Sequence, residues 1–135
     1  MFNDLFSSVN VLQRGLDAAW TRNQVITNNI ANVDTANFKS STVDFESEMK
    51  AALEADEHSF TAKTTRPEHY QFAGGSAEQI TPKVVENTNT EYRSDGNNVD
   101  IDYESTELAK NTLWYNVLVQ QVNSEFDKLK TVISG

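Results

Sequence analysis

Apolar residues at alternating steps of four and three run through both ends of this 135-residue chain. Leu5, Val9, Leu12, Leu16, Ala19, Asn23, Ile26, Ile30 and Val33 form the first ladder. Ile101, Ser105, Leu108, Thr112, Tyr115, Val119, Val122, Phe126, Leu129 and Ile133 form the second. This spacing lays side chains along one seam of an α-helix, the a and d positions of a heptad. A helix over residues 4–34 would be about 46 Å long at 1.5 Å per residue, and the C-terminal one is similar. Neither helix can bury its own stripe. The pattern therefore predicts a mainly α fold, with long N- and C-terminal helices packed as an antiparallel coiled coil and a small irregular, β-containing middle segment. Such a pair reads as a device for joining, not as the wall of a pocket.

Three segments follow from this reading. Residues 1–37 hold the first helix and an asparagine-rich motif, 38–99 a polar middle, and 100–135 the second helix. The formal net charge is −9, which disfavours nucleic-acid phosphates and lipid headgroups as partners. With no cysteine, disulfides, thiolate nucleophiles and Cys-type zinc sites are all excluded. Asn3, Asp4, Gln13, Arg14 and Asp17 interrupt the opening residues, where a secretory signal needs an unbroken apolar stretch after a basic start. The expectation is a chain that bypasses the general secretory route. No run approaches the roughly 18 apolar residues of a membrane-spanning helix.

Asn3 or Asp4 can cap the first helix, and its one interior break is Gly15, costing up to about 1 kcal/mol relative to alanine. Its far end is crowded with Asn28, Asn29, Asn32 and Asn37. These fit a helix fraying into a turn, or a set of amides satisfying backbone at a contact with another chain. Asn23 is the polar step in the first ladder. It either fixes register at a buried seam or rotates into water as a 3.6-residue helix drifts from the heptad. In the middle segment, residues 44–56 predict a short helix with Phe45, Met49, Ala52 and Leu53 on one side. Residues 60–65 and 83–93 predict short strands, and Pro67, Gly74, Gly75 and Pro82 punctuate the segment. Asp95-Gly96-Asn97-Asn98 is a turn, after which Asp100 or Asp102 starts the second helix with Glu104 and Glu107 in its first turns. That acidic start, and Lys128 and Lys130 near the end, complement the helix dipole.

Sites for chemistry are missing. The acidic run from Asp95 to Glu104 lacks the EF-hand placement of glycine and of the terminal glutamate, so it reads as helix capping. His58 and His69 lack metalloprotease spacing, and no nucleophile elbow or phosphate loop accompanies them. Trp20 and Trp114 fall on the predicted helices and read as packing residues or interface anchors. No cofactor or metal is called for, and the chain reads as a non-enzyme.

The string Asn28-Asn29-Ile30-Ala31-Asn32-Val33-Asp34-Thr35, followed by Ala36-Asn37-Phe38-Lys39, resembles the N-terminal signature of bacterial flagellar rod, hook and hook-associated proteins. Ala36 and Asn37 stand where proline and glycine are common, and Phe38 replaces a tyrosine; Asn37 can still supply the positive φ. Asp95-Gly96-Asn97-Asn98-Val99-Asp100-Ile101-Asp102-Tyr103-Glu104, then Leu108-Ala109-Lys110-Asn111, resembles the C-terminal region of the proximal-rod members of that family. Val84-Val85-Glu86 and Arg93 fit the same pattern. The resemblance covers about residues 1–45 and 83–135. It implies a structural rod subunit that assembles through its terminal helices. The implied partners are further copies of itself, the rod protein FlgC and other rod subunits, and the adaptor FliE, with the FliF ring and the export gate as further contacts. It also implies delivery by flagellar type III export, without a cleaved signal, to the periplasmic side of the inner membrane. A soluble helical-hairpin adaptor or export chaperone would show the same heptads.

Overall fold

The computed structural model describes residues 2–58, 80–88 and 93–134, with the backbone course alone for 2–7 and 55–58. The element order is α1 (Phe2–Ala31), β1 (Ser41–Asp44), α2 (Glu46–His58), β2 (Lys83–Glu86) and α3 (Ile101–Ser134). The two long helices pack against each other in antiparallel fashion. Gly15 of α1 meets Leu118 of α3, the Ala19 carbonyl meets Asn111, and Asn29 meets Glu104. As α1 ascends, its partners on α3 descend. The predicted architecture is thus the observed one.

The seam of α3 is displaced from its apolar ladder. The buried residues of that helix are Glu104, Asn111 and Leu118, one heptad apart. Leu108, Val119, Val122 and Leu129 are half-buried beside them. Ile101, Tyr115, Phe126 and Ile133 face solvent. The physical reason lies across the interface, in α1. Gly15 leaves a notch in which a Cβ would come within 3.3 Å of the Leu118 Cδ1. What the sequence offers only as a weak point in a helix is the seat of the opposing leucine.

Helix boundaries follow capping chemistry. The Asp100 carboxylate accepts from the backbone N–H groups of Asp102 at 3.0 Å and Tyr103 at 3.2 Å, so α3 starts one residue after its cap. It continues past Lys128 and Lys130, and its last turn holds no basic residue. Lys128 instead donates to Glu125 at 2.8 Å, so a dipole role is not what positions it. At the other end of the hairpin, α1 stops at Ala31 and turns through residues 32–37.

The middle departs more from expectation. β1, which the sequence pattern does not reveal, pairs antiparallel with β2 from Ser41↔Glu86 to Asp44↔Lys83. β2 ends at Glu86 rather than running to Arg93, because the Asn87 carbonyl is taken by the Asn98 side chain at 2.7 Å. α2 begins two residues later than predicted, with the Ser47 hydroxyl donating to the Asp44 carboxylate at its start. Phe45 is buried, Met49 and Ala52 are half-buried, and Leu53 is exposed. A small core of Ala18, Val43 and Phe45, flanked by Val25, Met49 and Ile80, fastens the sheet and α2 to α1. The strand expected over residues 60–65, His69, Pro67 and the glycine pair lie outside the described residues, as does the side chain of His58.

Candidate functional site

The two asparagine-bearing motifs, some sixty residues apart in the chain, form one junction at the closed end of the hairpin. Asn97 is fully buried. Its Nδ2 donates to the carbonyls of Asn32 at 3.0 Å, Val33 at 3.0 Å and Thr35 at 2.8 Å. Its Oδ1 accepts from the Val99 N–H at 2.7 Å. These carbonyls belong to the turn that follows α1, and a side chain from the far motif ties all three together. Asn98, also buried, accepts from the Ser40 N–H at 2.6 Å while its Nδ2 donates to Asn87. Asn29 grips β1 in the same two-handed way. It accepts from the Ser41 N–H at 3.0 Å, donates to the Ser41 carbonyl at 2.8 Å, and donates again to Glu104 at 3.0 Å.

The turn geometry that permits this needs two left-handed residues, Asn37 at φ 59° and Gly96 at φ 77°. They are in contact: a Cβ on Gly96 would lie 2.6 Å from the Asn37 Oδ1. The Asn37 N–H donates to the Asp95 carbonyl at 2.9 Å, and the Lys39 ammonium donates to the Gly96 carbonyl at 2.8 Å. Arg93 closes the outside, donating to the Val33 carbonyl at 3.2 Å and lying 3.5 Å from Asp95. Of the asparagines at the end of α1, Asn29 satisfies the Ser41 backbone and Asn32 the Asn28 carbonyl within their own subunit.

Not every motif residue joins the junction core. Asn28 and Thr35 are exposed and bond to Asn32. Ala31 and Asp102 also face solvent. Asn111 lies in the hairpin seam instead, where its Nδ2 donates to the Ala19 carbonyl at 2.8 Å and its Oδ1 is buried without a hydrogen-bond partner. Glu104, Asn111, Leu118 and Gly15 carry the pairing, and apolar counting passes over all four. Their shared heptad spacing on α3 is the signal that could have found three of them.

The assembly ladder divides in two. On α1, Ile26 is buried, while Val9, Leu12, Leu16, Asn23, Ile30 and Val33 are half-buried; the side chain of Leu5 lies outside the described residues. The Asn23 Oδ1 accepts from the Thr27 hydroxyl of its own helix at 3.3 Å. On α3, Tyr115, Phe126 and Ile133 stand outward with Leu113, Trp114, Val117 and Val132, with Val132 80% and Ile133 85% exposed. Trp20 is outward as well, so neither tryptophan packs inside the subunit.

Electrostatics differ between two carboxylates near the junction. Burial pushes the Glu104 carboxyl above its ordinary range; the Asn29 hydrogen bond opposes this, and the neighbouring charges of Glu107 and Asp100 add to it. Burial acts upward on Glu46 too, but the Arg22 guanidinium, donating to both oxygens at 2.6 Å, and backbone N–H groups bring it below its usual value.

A helical hairpin closed by an amide network and lined outside with unpartnered apolar side chains is the form of an assembly subunit. Comparison with known proteins gives that form a family. A family model described as flagella basal body rod protein matches residues 10–39. The flagellar basal body rod protein FlgB of Bacillus subtilis is 38% identical over 97% of each chain. The FlgB protein of Borreliella burgdorferi is 34% identical over 97% of this chain and 98% of its own. That of Escherichia coli is 30% identical over 100% of this chain and 99% of its own. The chain belongs to the FlgB family of flagellar basal body rod proteins.

Proposed function

We propose that this chain is a structural subunit of the proximal part of the bacterial flagellar rod, self-assembling through its terminal helices into the shaft that transmits torque. The observation that carries this reading is the outer face of α3. Leu113 is 68% exposed and Trp114 53% exposed, on a 34-residue helix whose inner face is already occupied. Fully burying a large aliphatic side chain is worth about 1.5–3 kcal/mol, so several such residues can hold neighbouring subunits together against the entropy of association. Long helices packed side by side also resist torsion, as a rotating shaft requires.

On this reading the chain performs no catalysis. Its neighbours are further copies of itself, FlgC and other rod subunits, and FliE, with the FliF ring and the export gate at the base. It acts on the periplasmic side of the inner membrane, having passed through the flagellar export apparatus with its N-terminus intact. Support comes from the polar residues that interrupt the first ladder and from the rod proteins it matches over nearly their whole length.

The decisive experiment is fractionation of motile cells. The chain should co-purify with detergent-washed basal bodies, and mass spectrometry of that fraction should find its N-terminus at Met1 or Phe2. Recovery only from the cytoplasmic fraction would overturn the proposal in favour of an adaptor or export chaperone. A form lacking about 20 N-terminal residues, as after signal-peptide cleavage, would overturn the export route.

A further inference from the structure

Between α1, β1 and the first turns of α3 lies a cleft of about 160 Å³, lined by Arg22, Ile26, Thr42, Tyr103, Glu104 and Glu107 among others. That is room for about five waters at about 30 Å³ each. Two of its charged groups are already engaged. Arg22 donates to both Glu46 oxygens, and Glu107 accepts from Lys110 at 2.6 Å. Glu104 is different. The residue is only 5% exposed, and its Oε1 accepts from Asn29. Among the described residues its Oε2 has no hydrogen-bond partner, yet it is not among the sealed polar atoms. It therefore opens into the cleft. The β1 residues lining the cleft, Ser41, Thr42 and Val43, bring no charge to it.

A desolvated carboxylate oxygen is best satisfied by a cationic donor, because charge-assisted hydrogen bonds are short and strong and a lone buried charge is costly. Burial, with the neighbouring charges of Glu107 and Asp100, holds this carboxyl above its ordinary range, and an ammonium in the cleft would oppose that. Among the described residues, Lys83 and Lys130 are the cations with neither an ion pair nor a hydrogen bond; every other lysine and arginine has a partner. Lys130 lies about 39 Å along the same helix from Glu104 at 1.5 Å per residue, so it can reach such a cleft only in another molecule. We propose that the Glu104 cleft is a socket for a lysine ammonium of a second copy of this chain, Lys130 or Lys83, seated on the free Oε2. The inference rests on the rod-assembly reading and adds to it a polar contact that selects the partner. Apolar faces give adhesion, whereas a buried charge that must be matched gives register and choice.

The test uses the full-length chain and sedimentation velocity over a concentration series. Glu104→Gln keeps the acceptor for Asn29 and the shape of the side chain, but removes the charge. It should retain wild-type helicity and weaken self-association by at least about tenfold. Lys130→Gln or Lys83→Gln, both on exposed positions that leave the fold alone, should reproduce that loss, and the corresponding double variant with Glu104→Gln should lose no more. Equal association of Glu104→Gln and wild type would overturn the socket and leave the rod reading standing. Loss in Glu104→Gln with no loss in either lysine variant would overturn the second copy as occupant. A wild type that never associates would overturn the rod reading itself.

Discussion

The closed end of the hairpin and the outer face of α3 are built on opposite principles. At the junction, Asn29, Asn97 and Asn98 are at most 4% exposed, and each amide both donates and accepts. Along α3, large apolar side chains from Tyr103 to Ile133 stand in solvent. Water competes with hydrogen bonds and drives apolar surfaces together. A subunit that seals its polar contacts inward and leaves its apolar ones outward has completed its own turn and left its long faces for neighbours. The junction should therefore respond to substitution as a folding element, and the α3 face as an association element.

The sharpest way to break that contrast is Asn97→Ala. Removing one side chain leaves the buried Val99 N–H without its acceptor and takes one of two donors from each of three carbonyls; an unpaired buried polar group costs about 1–3 kcal/mol. Loss of about 1–3 kcal/mol in urea unfolding is expected. A change under about 0.5 kcal/mol, the range of ordinary surface substitutions, would mean that the amide network is ornamental.

Gly96→Ala acts on the same turn more gently. Positive φ costs a β-carbon about 1–2 kcal/mol, and the new atom would press on Asn37. Thermal melting should show a loss of that size, and Gly96→Asn should recover part of it because asparagine tolerates the left-handed region.

Glu104 gives a smaller effect with a defined sign. Its carboxyl sits above the usual 4.5 in the folded subunit. The folded state therefore holds its proton more tightly than the unfolded one, and this group's contribution to stability is greatest below 4.5 and declines as the pH rises through the shifted value. Glu104→Gln should flatten that decline in a pH series of denaturation midpoints for the dilute subunit. An unaltered pH profile would remove Glu104 from the account.

The smallest effect on the isolated subunit is expected at Trp114. Trp114→Ser should change unfolding free energy by no more than about 0.5 kcal/mol, while weakening self-association measured by sedimentation. A large loss of monomer stability would show that the outer face serves the fold after all.

Legibility in the sequence followed the range of the forces involved. The helices were readable because apolar spacing, Asp100 as a cap and the Gly96 turn act over a few neighbouring residues. β1 was not, since Ser41–Asp44 is held by Asn29 from one side and β2 from the other. The asparagine motif was visible as unusual, but its purpose was not. Asn97 bonds to carbonyls more than sixty positions earlier, and nothing local announces such a partner.

The sequence by itself determined two long amphipathic helices, a polar middle and a turn requiring positive φ, because these depend on residue type and spacing alone. Tertiary structure decided which face of α3 turns inward. Both the apolar ladder and the Glu104–Asn111–Leu118 line satisfy a heptad, so periodicity cannot choose between them. Complementarity chooses: Gly15 receives Leu118, the Ala19 carbonyl receives Asn111, and Asn29 receives Glu104. Each match exists only when both helices are present, since a notch and a free acceptor on one surface have no meaning until the other meets them.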